Sequence, residues 1–198
     1  VLYIEGQNDG DALVNPASFP YINLNLDPMG SLLRRGQHHT MFESGFNYLS
    51  NIIKFAIDTA GADFDKYFKL DGTVFHDGRA CHKVVITFDD FKYVDYKVKK
   101  GQTVLDIATE RMVSEYMIVQ VNDDIDNYYD VKEGQVIKIP ILYAKRTVLY
   151  IDKVKHLPIK QEMSDDKGLF ERYSMTNLKV NPTIAPEEFQ EDYKDYDF

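Results

Sequence analysis

The rhythm of apolar and polar positions changes along the chain, and each rhythm predicts a different element. Residues 1–4 and 12–15, apolar except for Asn15, flank Asn8-Asp9-Gly10. Those residue types tolerate positive φ, so the segment reads as a hairpin. After a proline-punctuated loop, Ile22, Leu24 and Leu26 alternate with Asn23, Asn25 and Asp27, the period of a half-buried strand. Thr40 with Glu43 makes a capping-box pattern, and Phe42, Phe46, Leu49, Ile53 and Ala56-Ile57 follow at helical spacing. This helix is expected to end before Gly61, where a glycine relieves the strain of a left-handed cap.

From residue 67 the pattern turns to β. Asp71-Gly72 and Asp77-Gly78 are turn dipeptides, and residues 81–88 are rich in β-branched side chains, which predicts a second hairpin. Strand patterns return at residues 148–151, 158–163 and 169–175, the last two joined through Asp165-Asp166-Lys167-Gly168. Between these blocks, residues 96–140 have their own rhythm. A short strand at residues 96–98 leads through the turn Lys99-Lys100-Gly101-Gln102 to Thr103, an N-cap for a helix with Val104, Ile107, Ala108 and Met112 on one face. A second helix can start at Ser114 with Met117, Ile118 and Val121 inward. A polar loop at residues 122–129 and a turn at Gly134 then lead into a closing strand at residues 136–139. The order is strand, helix, helix, strand. With this segment set aside, residues 81–88 can pair directly with residues 147–151, as expected of a small domain inserted at a hairpin tip.

Composition narrows the function classes. The chain has 198 residues, 44% of them hydrophobic, with 23 basic and 32 acidic side chains and a formal charge of -9. No basic stripe of the kind that phosphate backbones require is visible, which argues against a nucleic-acid partner. With Cys81 alone there is no internal disulfide. No apolar run approaches the roughly 18 residues of a membrane-spanning helix. Val1 is not a methionine and residues 1–5 read as a strand, so more chain is expected upstream and the lack of a targeting segment carries no information. If residues 1–5 form a sheet edge, they invite pairing with a second copy, an edge-strand homodimer. Residues 181–198 hold six acids and one base. The aromatic side chains of Phe189, Tyr193, Tyr196 and Phe198 are expected to lay this tail over the sheet.

Residues 96–104, Tyr-Lys-Val-Lys-Lys-Gly-Gln-Thr-Val, resemble the Y-x-V-x-x-G-D-T-L opening of the lysin motif (LysM). Ile107-Ala108 stand at its I-A position, Ser114 at the start of its second helix and Asn122 at that helix's end. Residues 134–140, Gly-Gln-Val-Ile-Lys-Ile-Pro, match its G-Q-x-L-x-I-P close. The resemblance implies a βααβ module at residues 96–140 that binds N-acetylglucosamine polymers, chiefly peptidoglycan and chitin. Its groove would lie between Gly101, Gln102, Thr103 and Val104 on one side and Asn122, Asp123, Asp124 and Ile125 on the other. Backbone amides and carbonyls there suit acetamido groups, and a small apolar floor suits the sugar methyl. Two residues depart from the family: Gln102 replaces its aspartate and Asp123 its proline. Asp123, Asp124 and Asp126 crowd that rim and oppose the stem-peptide carboxylates of peptidoglycan at low salt. The plain alternative is a spacer or protein-contact unit, since fold does not fix function.

The flanking sequence resembles a family of exported bacterial proteins of unknown function of the Bacteroidetes type. The likeness rests on Asn25-Leu26-Asp27-Pro28, Gln37-His38-His39-Thr40, Tyr150-Ile151-Asp152 with Leu157-Pro158-Ile159, Asp166-Lys167-Gly168, and residues 177–182. The closing pattern is also similar to the lipoprotein-localisation-factor (LolA-like) superfamily, in which a curved antiparallel sheet wraps around helices. These resemblances imply an α+β fold: a discontinuous LolA-like host at residues 1–95 and 141–198, a half-barrel with earlier strands before Val1, and the inserted module. They imply export to the periplasm or the outer membrane. The leading expectation is a non-catalytic cell-envelope protein that binds peptidoglycan or a related N-acetylglucosamine glycan. The alternative is a lipid or lipoprotein carrier with a hydrophobic host cavity and the module as spacer, and an envelope hydrolase is third.

Candidate chemistry elsewhere has simpler readings. His38-His39 could ligate a metal, but no third ligand stands at a recognisable spacing, so packing or capping is the simpler role. Cys81-His82, with His76 and Asp77 nearby, could form a nucleophile or metal cluster, yet neighbours on a strand face opposite sides. The acid pairs Asp89-Asp90, Asp123-Asp124 and Glu187-Glu188 read as solvated loops. Phe42, Phe46, Phe68 and Phe75 read as core, or as the lining of an acyl-chain cavity. No nucleophile elbow, phosphate loop, dinucleotide fingerprint or zinc-protease motif is present, and no cofactor or metal is expected.

Overall fold

The computed structural model of the chain describes residues 1–16, 21–30, 32–34, 38–43, 45–196 and 198. Gln37, in one of the patterns above, and Asp197, one of the tail acids, lie outside the described residues. The fold is α+β, and the chain divides into a terminal unit, residues 1–44 with 178–198, and a central unit, residues 45–177. The boundaries expected at 95/96 and 140/141 fall inside the central unit.

In the terminal unit, Asn8, Asp9 and Gly10 all take positive φ in a short 3-10 turn, as their residue types allow. The strand pairing differs from the expected hairpin. Strand β1 (Ala12–Val14) pairs antiparallel with β2 (Leu24–Leu26), Ala12 opposite Leu26 and Val14 opposite Leu24. Residues 1–5 contribute a single bridge, Leu2 to Leu13. The reason is local: Gly6 takes positive φ, and the Gln7 N–H turns back to the Ile4 carbonyl at 3.1 Å. The edge on which a second copy was expected to pair is therefore one bridge long. Thr40 and Glu43 do pair, the Thr40 N–H and hydroxyl both reaching Glu43 Oε2 at 2.8 and 3.0 Å, but they close a 3-10 turn at Met41–Glu43. Phe42 consequently lies off the helix, and its ring meets that of Tyr3 edge-on at 5.1 Å.

The central unit opens with helix α1 (Phe46–Ala60), which starts after Gly45 at φ 110° and stops at Gly61, φ 51°. Its buried face is Leu49, Ile52, Ala56 and Ala60, three to four residues apart. A turn of helix, α2 (Phe64–Tyr67), leads into β3 (Phe68–His76), β4 (Arg79–Thr87) and β5 (Tyr93–Lys97). Helices α3 (Val104–Arg111) and α4 (Glu115–Val121) follow, then β6 (Val136–Pro140), β7 (Arg146–Asp152), β8 (Pro158–Ser164) and β9 (Leu169–Ser174). Five strands form one antiparallel sheet in the order β3-β4-β7-β8-β9, and β5 pairs with β6 separately. Asp77-Gly78 makes the β3–β4 turn with both residues at positive φ. Asp71-Gly72 is a bulge inside β3 rather than a turn, because the register slips there between Leu70 and Thr73. The direct pairing of residues 81–88 with 147–151 is present, Cys81 opposite Asp152 through Ile86 opposite Thr147.

Two cores hold the central unit. One gathers Leu49, Ile52, Ile86, Phe88, Leu149 and Met163 between α1 and the sheet. The other lies under α3 and α4 and gathers Val104, Ile107, Ile118, Ile137 and Ile139. Adjacent residues of α4 serve both, Met117 the first and Ile118 the second. A pocket between α1 and the sheet, lined by Ile52, Phe55, Phe88, Leu142 and Tyr143, measures about 10 Å³. Strands β3 and β9 are opposite edges, which a flat sheet would hold about 19 Å apart. His76 Nε2 nevertheless lies 3.2 Å from Ser174 Oγ, and Asp77 Oδ2 accepts from the Asn177 N–H at 2.8 Å. The sheet therefore curls until its edges meet at one end.

Candidate functional site

The expected groove residues flank the helices of the second core, and most of their polar groups are already engaged there. Gly101 sits at the turn between β5 and α3 with φ 74°, a conformation that favours glycine, and it is exposed. Gln102 braces that turn. Its Oε1 accepts from the Lys99 N–H at 2.9 Å and from the Tyr96 hydroxyl at 3.0 Å, and its Nε2 donates to Glu110 at 2.9 Å. The aspartate of the lysin-motif pattern would lack the amide that reaches Glu110, so Gln102 fits a local role. Lys99 also reaches Glu110 at 2.8 Å, and this contact holds the Glu110 carboxyl below its usual range and raises the Lys99 ammonium.

Thr103 caps α3 reciprocally. The Asp106 N–H donates to its Oγ1 at 3.2 Å, and the Asp106 carboxylate accepts from the Thr103 hydroxyl and N–H at 2.7 Å each. These bonds keep Asp106 below the usual carboxylate range. Val104 is fully buried, and its N–H donates to the Tyr128 carbonyl at 2.9 Å, joining the start of α3 to the loop after α4.

Asn122 is buried and works as a bracket. Its Nδ2 donates to the carbonyls of Ile118 and Lys138 at 2.7 and 2.8 Å, and its Oδ1 accepts from the Lys138 N–H at 2.8 Å. The end of α4 is thereby fixed to β6. Ile125 is buried in the core, Asp124 accepts from Gln135 Nε2 at 3.0 Å, and Asp123 is exposed. The structure thus separates the eight expected residues. Gln102, Thr103, Val104, Asn122 and Ile125 frame the segment, whereas Gly101, Asp123 and Asp124 lie on its surface. Sequence reasoning missed Tyr129, 55% exposed on the same loop next to Tyr128. Its signal is an aromatic residue inside a polar loop.

The other candidate clusters have structural partners. His39 Nδ1 lies 3.8 Å from Glu43 Oε2. Burial raises the Glu43 pKa, but hydrogen bonds from His39 and from Thr40 outweigh it and hold the carboxyl low. Cys81 is fully buried in β4, with His82 on the opposite face of the strand. Burial and then the nearby Asp152 push its thiol up, the reverse of what a nucleophile needs. His76 meets Ser174 and stands edge-on to the Tyr150 ring at 6.3 Å. Tyr93, partly buried, has its phenol pushed up to about 12 by burial and then by Asp165. No helix among the described residues is long and apolar enough to cross a membrane.

Compared with known families, the chain belongs, over residues 1–198, to a protein family described as "Protein of unknown function (DUF1571)". No curated protein and no solved structure matches it.

Proposed function

We propose that this is a non-catalytic cell-envelope protein whose segment at residues 93–140 is a LysM-type module for N-acetylglucosamine glycans, peptidoglycan or chitin. The observation that carries the reading is the segment's architecture. Paired strands β5 and β6 enclose two helices over a core of the segment's own residues, and the bond from the Val104 N–H to the Tyr128 carbonyl joins the first expected rim to the loop that carries the second. With Gln102, Thr103 and Asn122 engaged in the frame, sugar recognition falls to the main chain of residues 100–102 and 123–126 and to the exposed ring of Tyr129. The exposed acids Asp123 and Asp126 favour neutral chitin-like chains over peptidoglycan with its stem-peptide carboxylates at low salt.

Export and a LolA-like half-barrel belong to the same proposal, and the meeting of the sheet edges at His76 and Ser174 supports the curved sheet it requires. A lipid-carrier role would need α1 to leave the sheet, because the pocket of about 10 Å³ between them is far too small for an acyl chain. The test is cosedimentation of the full chain with purified sacculi and with chitin beads. The wild type is expected to pellet and Tyr129→Ala to pellet several-fold less. A wild-type chain that stays in the supernatant with both materials overturns the reading.

A further inference from the structure

The terminal unit contains an open cleft of about 990 Å³, and its construction follows from strand alternation. Ala12, Val14, Leu24 and Leu26 share one face of the β1–β2 ribbon, and Ala12 is fully buried. Successive side chains point to opposite faces, so Asp11, Leu13, Asn23 and Asn25 occupy the other, and the Leu2–Leu13 bridge adds Leu2 and Ile4 to it. That second face is one wall of the cleft. The opposite wall is the C-terminal 3-10 turn Pro186–Phe189 with Gln190, Glu191 and Asp192. Phe189 is 50% exposed, and its turn is closed by the bond from the Ala185 N–H to Glu188 Oε1 at 2.9 Å. The tail is further braced by the Tyr196 hydroxyl, which donates to the Glu188 carbonyl at 2.6 Å.

Three features of the lining define a ligand class. Carboxamides from Gln7, Asn8, Asn23, Asn25 and Gln190 offer donors and acceptors of both kinds, as sugar hydroxyls require. Asn8 Nδ2 already bonds Asn25 Oδ1 at 3.1 Å, which orients the Asn25 amide without ionic partners. Phe189 and Leu13 give apolar surface for the C–H face of a pyranose. Among the described residues, the charged lining is all acid, Asp11, Glu191 and Asp192, with no Lys or Arg. Such a cleft rejects uronates and phosphorylated glycans by charge and accepts neutral sugars and amino sugars. Its volume lies at the upper end of the range for small-ligand sites, on the order of 300–1,000 Å³, and suits a short oligosaccharide rather than a single ring.

We infer that the terminal unit carries a second glycan site, formed by the outer face of the β1–β2 ribbon and the Phe189 turn, for neutral or amino-sugar oligosaccharides. This site stands whether or not the segment at residues 93–140 binds sugar, because the two share no residue.

The test is an amide chemical-shift titration of the full chain with three tetrasaccharides: a chitosan tetramer, cellotetraose and a tetra-uronate. The expected result is saturable shifts at Leu13, Asn25 and Gln190 with the first two, the chitosan tetramer being at least as tight, and none with the uronate. Phe189→Ala should weaken binding about tenfold or more, and Phe189→Tyr, which keeps the ring, should bind like the wild type. Asp192→Asn should remove any preference for the chitosan tetramer and leave cellotetraose binding unchanged. The inference is overturned if none of the three sugars shifts these amides, if the uronate binds as well as the others, or if Phe189→Ala binds like the wild type. Shifts at Gly101 and Asp123 alone would support the first site and contradict this one.

Discussion

The segment at residues 93–140 and the terminal ribbon both place amides and hydroxyls beside exposed turns, and they use them in opposite ways. In the segment, Gln102, Thr103 and Asn122 turn inward and join turn to helix and helix to strand. In the ribbon, Asn23 and Asn25 stand exposed on the face that strand alternation leaves outside and line a cleft. Residues that carry the lysin-motif resemblance therefore build the frame here, and a face without any such resemblance lines an open cleft. The physical difference is core size. The segment keeps its own buried cluster and needs polar brackets at its ends, whereas the short ribbon buries Ala12, half-buries the rest of one face and leaves Asn25 on the other exposed.

The sharpest way to break this contrast is to cut the segment's core. Ile118, fully buried, should cost about 3 kcal/mol on Ile118→Ala. Leu13→Ala, at a half-buried ribbon position, should cost about 1 kcal/mol or less. Urea unfolding of the full chain measures both, and equal losses would remove the distinction. Next comes the bracket. Asn122→Ala strips the partner from the Lys138 N–H and two carbonyls and should cost about 2 kcal/mol. Asn25→Ala should stay within about 0.5 kcal/mol. Thr103→Ala, which removes the α3 cap, should cost about 1 kcal/mol.

A pH series extends the contrast to the curled sheet. Asp152, on β7, accepts from the Lys155 and Val154 N–H groups and from Arg79, and these bonds lower its carboxyl to about 2. A carboxyl lowered by folding adds stability above its ordinary value near 3.8, and that stability is lost as pH falls toward about 2. The stability gap between wild type and Asp152→Asn should therefore be constant above about pH 5 and close between about pH 4 and pH 2. A gap independent of pH would show that Asp152 acts through packing instead. The smallest effect is electrostatic. Asp123→Asn with Asp126→Asn should raise sacculus binding by a few-fold at low salt and leave it unchanged near 1 M, where screening is complete within about 3 Å. Chitin binding should not respond at either salt.

What the sequence made legible was local. The Thr103 cap, the Ser114 start, the β6 close and the β8–β9 turn at Asp165 all follow from neighbouring residues, and each is present. The pairing of β4 with β7 was legible too, because removing the intervening segment leaves two complementary β-branched runs. Less legible were local backbone reversals that the hydrophobic pattern does not report and features set by residues distant in sequence. The Gly6 turn diverts residues 1–5 from a strand, and the Thr40–Glu43 pair closes a 3-10 turn because the chain restarts at Gly45. Met117 and Ile118 look alike as inward residues of one helix, yet they enter different cores. Of the expected groove, the backbone path was readable from Gly101. The engagement of Gln102 and Asn122 was not, because their partners Glu110 and Lys138 lie 8 and 16 residues away.

The most direct measurement is an amide chemical-shift titration of the full chain with a tetramer of N-acetylglucosamine. Saturable shifts are expected at Gly101, Gln102, Asp123 and Tyr129, reduced several-fold in affinity by Tyr129→Ala, with Asn122 and Ile118 unmoved because they are frame. Unchanged amides at the turn and loop up to millimolar ligand would contradict glycan binding by this segment.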